Sequence, residues 1–107
     1  MRIDIPDQAE VIKHYGRANQ TMICMEECAE LAQAASKALR QSDGSDRKET
    51  SDQRKEELTE EIAHVMICIR QMMDMYGIKE NEVENYIQEA YGRVRRKIAE
   101  AENWHTP

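Results

Sequence analysis

Positions 21–40 read TMICMEECAELAQAASKALR, and positions 56–76 read EELTEEIAHVMICIRQMMDMY. Neither stretch holds a Gly or Pro. Both are rich in residues that lose little freedom in a helix, and both repeat apolar residues every three or four positions. The pattern predicts two long helices with one apolar face each. Working outward, Ala9, Val11, Ile12 and Tyr15 continue a shorter helix that Gly16 can stop, with Asp4 as N-cap and Pro6 at its first position. Asn19 or Thr21 is expected to cap the second helix. Thr50-x-x-Gln53 resembles a capping box for the third, which Gly77 ends. Val83, Ile87, Ala90, Val94 and Ile98 define a fourth. The expectation is an all-α, four-helix domain spanning 1–107, with helices at about 6–15, 21–40, 53–76 and 80–102. A polar loop at 41–53, QSDGSDRKETSDQ, carries no large apolar residue.

Composition narrows the class. The chain has 107 residues, 15 Lys+Arg against 21 Asp+Glu, a net charge of −6 and a pI near 5.1. Residues of the AVILMFWYC set make up 40 % and DEKR 34 %, too apolar for a disordered tail and too charged for a membrane span. An acidic surface argues against sequence-independent nucleic-acid binding, which needs a basic face. The opening MRIDIPDQAE has no apolar stretch that would serve as a secretion signal. Cys24, Cys28 and Cys68 are an odd number, all on apolar helix faces. They read as buried small side chains rather than a disulfide framework or a zinc site, and a cytoplasmic location is expected.

Two carboxylates stand in the wrong place. At about 100° per residue, Leu31, Cys24, Ala35 and Cys28 cluster on one side of the second helix, with Glu27 inside the apolar arc and Glu30 on its border. On the third helix Leu58, Val65, Ile69 and Ile62 cluster in the same way. Glu61 falls inside that arc and His64 on its border. Glu26, Glu56, Glu57 and Glu60 fall on solvated faces. An ionised carboxylate on a packing face costs several kcal/mol unless something compensates it. No Arg or Lys shares these arcs within one turn, since Lys37 and Arg70 lie to the sides. A cation from solvent is the remaining partner. Two such helices packed face to face bring Glu27, Glu30, Glu61 and His64 together as a metal site, with Glu27 and Glu61 largely buried.

The stretch from about Tyr15 to about Arg96 resembles the MazG-like, all-α nucleoside triphosphate pyrophosphohydrolases. Their signature is E-E-x-x-E on one helix and E-x-x-D on the next. Glu26, Glu27 and Glu30 match the first half and Glu61 opens the second. The resemblance implies hydrolysis of a nucleoside triphosphate to the monophosphate and pyrophosphate, with Mg²⁺, or Mn²⁺ in its place. It also implies a homodimer or homotetramer. Glu27, Glu30 and Glu61 would ligate the ion, and one of them or Glu26 would orient or deprotonate the attacking water. Lys37, Arg54, Lys55 and the basic run from Arg93 to Lys97 are candidates for triphosphate charge. Gln20 matches a position from which relatives touch the base.

The chain departs from the family at three points. His64 replaces the signature Asp, and imidazole suits Zn, Fe, Cu or Ni better than Mg²⁺. Ala90 and Gly92 stand where phage-type relatives carry Lys and Asn, leaving Arg93 alone. Two alternatives follow. One is a catalytically weakened nucleotide-binding or assembly module. The other is a di-iron or di-manganese carboxylate bundle, in which Glu61-x-x-His64 would need a second copy. The methionines at 22, 25, 66, 72, 73 and 75 point to helix faces that need covering, and hence to a homo-oligomer.

Overall fold

The computed structural model describes residues 1–42 and 51–104. Four helices appear in order: α1 (Ala9–Tyr15), α2 (Arg17–Ser42), α3 (Ser51–Tyr76) and α4 (Glu80–Trp104). No strand occurs among the described residues, so the all-α, four-helix expectation holds. The chain divides into two compact units, Met1–Tyr76 and Gly77–Pro107.

Helix ends depart from expectation for identifiable reasons. Asp7, not Asp4, serves the start of α1: its Oδ1 accepts the Ala9 N–H at 2.9 Å, and Pro6 lies ahead of the helix. Gly16 ends α1 at φ 85°, and α2 resumes at once, with the Gln20 N–H donating to the Gly16 carbonyl at 3.0 Å. Asn19 and Thr21 therefore lie inside α2 and do not cap it. Asn19 Nδ2 donates to the Tyr15 carbonyl at 3.0 Å, and Thr21 Oγ1 to the Arg17 carbonyl at 2.8 Å, the backward bonding that short polar side chains make within helices. At the ends of the expected polar loop, α2 runs to Ser42 and α3 starts at Ser51, and positions 43–50 lie outside the described residues. Thr50, the first member of the expected capping box, lies outside the described residues. Gly77 follows α3 at φ 65°, the left-handed C-terminal position that favours glycine. Lys79 caps α4 reciprocally: its N–H donates to Glu82 Oε2 at 2.9 Å, and the Glu82 N–H to the Lys79 carbonyl at 3.1 Å.

In the first unit α2 packs on α3, and α1 touches both. Gln20 meets Gln71, Cys24 meets Cys68 and Glu27 meets His64. Numbers rise on one helix as they fall on the other, so the pair is antiparallel. The inward positions on α2 are Gln20, Cys24, Glu27, Leu31, Ala34 and Ala38. On α3 they are Arg54, Leu58, Glu61, Val65, Cys68 and Met72, with Gln71 beside them. Spacings of four and three residues make this a heptad seam.

The seam is rotated from the apolar arcs toward the glutamates. Cys28, Ala35, Ile62 and Ile69, expected inside, are exposed. Among described residues the buried apolar side chains are Cys24, Ala34 and Cys68, all small. Buried glutamines fill the rest: Gln20 Nε2 donates to Gln71 Oε1 (2.8 Å), Gln71 Nε2 to Gln8 Oε1 (2.9 Å), and Gln8 Nε2 to the Pro6 carbonyl (2.9 Å). This one-way amide chain ties the N-terminal segment to both long helices. Each link is worth about 1 kcal/mol net, but leaving its partner buried and unpaired costs about 1–3 kcal/mol.

Cysteine chemistry follows from this packing. Burial pushes the Cys68 thiol up to about 12, assisted by a hydrogen bond with Cys24 and by the charges of Cys24, Glu27 and Cys28. At pH 8, one thiol per native chain, Cys28, is expected to react with a disulfide reagent within seconds, and all three in denaturant. Fast labelling of two or three native thiols would contradict the seam. Because the unfolded Cys68 thiol ionises from about 9 and the folded one only near 12, stability should fall as pH rises between these values. Denaturant melts at pH 8.5 and 10.5, with a Cys68→Ser control, check this.

Candidate metal centre

Glu27 lies one helical turn beyond the Cys24–Cys68 level on α2, and Glu61 two turns beyond it on α3. His64, one turn along α3 from Glu61, closes over them from the rim. His64 Nδ1 lies 3.2 Å from Glu27 Oε2 and 3.7 Å from Glu61 Oε2. One donor atom from each of the three residues lies within 4.8 Å of the others. The side chains are graded in exposure, with Glu61 at 18 %, Glu27 at 24 % and His64 at 49 %. The carboxylates are thus partly rather than largely buried. Glu61 Oε2 is itself fully covered and has no hydrogen-bond partner. A buried carboxylate oxygen in that condition carries a desolvation cost that only a cation or a proton removes.

The His64 nitrogen is close enough to either carboxylate to share one divalent ion with it. Two ligand atoms about 2.1 Å from the same ion can be at most about 4.2 Å apart, and the 3.2 Å and 3.7 Å separations from His64 Nδ1 fall inside that limit. Two carboxylates and one imidazole suit Mn²⁺, Fe²⁺ or Zn²⁺ better than Mg²⁺, which favours an all-oxygen shell.

The other expected site residues are placed as follows. Glu30 is exposed and stands outside the three-donor group. It lines a polar groove of about 260 Å³ with Gln33, Ala34, Lys37, Glu57, Glu60 and Glu61. Glu61 therefore belongs to both the donor group and the groove, and Lys37 brings a positive charge to the latter. Arg54 is buried beside the groove's end, with Nη1 3.1 Å from Glu57 Oε2. Glu26 and Lys55 are exposed on the outer faces of α2 and α3. Gln20 is buried, and its amide nitrogen is committed to Gln71. Arg93 belongs to α4, where it pairs with Glu89 at 3.1 Å.

Sequence reasoning missed Gln8 and Gln71. Gln71 could have been found from the heptad count, since it borders the seam position of Met72. Gln8 carries no such signal. Comparison of the chain with protein-family models, curated proteins and solved structures finds no match.

Metal removal and return test the centre. After chelator treatment, Mn²⁺ at 100 times its Kd is expected to stabilise the protein by about 2.7 kcal/mol, read as a rise in Tm. Glu61→Gln should melt higher than wild type without metal, because the unpartnered charge is gone, and should lose the Mn²⁺ increment. An undiminished increment in that variant would remove Glu61 from the ligand set.

Proposed function

We propose that this protein is a divalent-metal-dependent nucleoside triphosphate pyrophosphohydrolase, releasing a nucleoside monophosphate and pyrophosphate. The observation that carries the reading is Glu61 Oε2, covered and without a hydrogen-bond partner, beside Glu27 and His64, in a chain that resembles the MazG-like enzymes at E-E-x-x-E and at Glu61. In this reading Glu27, Glu61 and His64 hold the ion, Mn²⁺ by preference and Mg²⁺ less well. A divalent ion held there would supply charge neutralisation to phosphate oxygens and acidify water.

The chain's own groups do the remaining work. Glu30, on the groove that Glu61 also lines, accepts a proton from the attacking water, with Glu26 one turn away as the alternative base. Lys37 offers its ammonium to a phosphate from the same groove. Gln20, buried against Gln71, serves the base only if that amide pair opens. The enzyme works in the cytoplasm as a homo-oligomer.

One observation favours a second reading. His64 contributes an imidazole nitrogen to the donor group itself, as in di-iron and di-manganese carboxylate bundles. Those need a second Glu-x-x-His, which a second copy would bring. Metal analysis of protein purified without chelator separates the two. Two retained iron or manganese ions per pair of chains support the bundle, and a weakly held single ion supports the hydrolase.

The direct assay is pyrophosphate release from a panel of nucleoside triphosphates, with Mg²⁺ or Mn²⁺. Turnover is expected with Mn²⁺ above Mg²⁺, falling about 100-fold in Glu61→Gln, a loss of roughly 2.7 kcal/mol. His64→Asp supplies the hard oxygen that Mg²⁺ prefers, and should raise Mg²⁺-dependent turnover about tenfold, roughly 1.4 kcal/mol. No pyrophosphate from any triphosphate with either ion refutes the hydrolase.

A further inference from the structure

The unit Gly77–Pro107 consists, in its described part, of one 25-residue helix. At about 100° per residue, Val83, Tyr86, Ile87, Tyr91, Val94 and Ile98 fall on one side of α4. Within its own unit no other described element covers them. Tyr86, Ile87, Tyr91, Val94 and Ile98 are 52–73 % exposed. A helix about 37 Å long with such a stripe is not stable in water by itself, so something must cover it.

The charges of α4 are sorted along its length. The N-terminal half carries Glu80, Glu82, Glu84 and Glu89 and no Lys or Arg. Arg93, Arg95, Arg96 and Lys97 follow, then Glu100 and Glu102, while Lys79 precedes the helix. Including Lys79, that is five positive against six negative charges. A membrane-surface helix carries a predominantly basic polar face, and α4 does not.

We propose that α4 pairs antiparallel with α4 of a second copy of this chain, the stripe forming the seam. A two-fold axis between residues 89 and 90 sets Glu82 level with Lys97 of the second copy, Glu84 with Arg95, and Lys79 with Glu100. On the helical wheel the two members of each pair fall on the same flank of the stripe, and same-flank positions face each other in an antiparallel pair. Symmetry makes every one of these pairings occur twice. A parallel pair would instead set Glu82 beside Glu82 and Lys97 beside Lys97. The apolar stripe drives association, and the charge order fixes its direction.

Light scattering at micromolar concentration and charge-swap variants test the proposal, independently of any activity. Wild type is expected to show at least a dimer mass. Ile87→Glu and Val94→Glu should each give half that mass, with helicity falling by no more than the share of α4, which loses its cover, while α1–α3 stay helical. A monomeric wild type, or stripe variants that keep the wild-type mass, overturns the proposal. Arg95→Glu with Lys97→Glu should weaken the dimer at least tenfold. Adding Glu82→Lys and Glu84→Lys restores both broken pairings with reversed sign, and should recover the wild-type dissociation constant. Failure to recover it overturns the antiparallel arrangement.

Discussion

Two carboxylates in the seam of an antiparallel helix pair are the constraint on which the rest of the first unit turns. Packing α2 on α3 brings Glu27 and Glu61 partly out of water at seam positions one turn apart, and leaves one oxygen of Glu61 covered and without a hydrogen-bond partner. A pair of helices built only to bury apolar surface would place leucine there. Glutamate there lowers the stability of the seam unless a cation or a proton compensates its charge. His64 at the rim adds a donor that can be reached from solvent.

The seam around that point is made of small and polar groups. Cys24, Ala34 and Cys68 are the buried apolar residues among those described, and a chain of three glutamine amides supplies much of the remaining order. Hydrogen bonds of this kind specify register more than they add free energy, because each buried amide is costly if its partner slips. The Gln20–Gln71 pair sits two levels from Glu27 and His64, so the register it enforces also sets the spacing of the donor group.

A small core also explains why large apolar side chains remain outside. Ile62 and Ile69 on α3, and the stripe on α4, present more hydrophobic surface than short helices cover alone. The acidic and basic order of α4 gives that surface a direction. A closed, symmetric contact would satisfy it without exposing a new face.

The sequence by itself determined the helices and flagged the two glutamates. Periodicity, the glycines at 16 and 77, and the absence of internal proline are local signals, and local signals fix helix existence and approximate ends. Asn19 and Thr21 show the limit of such signals, since each can bond forward as a cap or backward within a helix, and the Gly16 turn settled which. Only the tertiary structure decided which side of each helix faces inward. The wheel placed the packing face at the most apolar arc, through Cys28, Ala35, Ile62 and Ile69. The seam runs instead through Glu27 and Glu61, because small residues and glutamine pairs at Gln20, Cys24, Cys68 and Gln71 let the helices approach there. A rotation about the helix axis leaves the periodicity unchanged, so a single helix cannot report it, and a partner surface is needed to choose it.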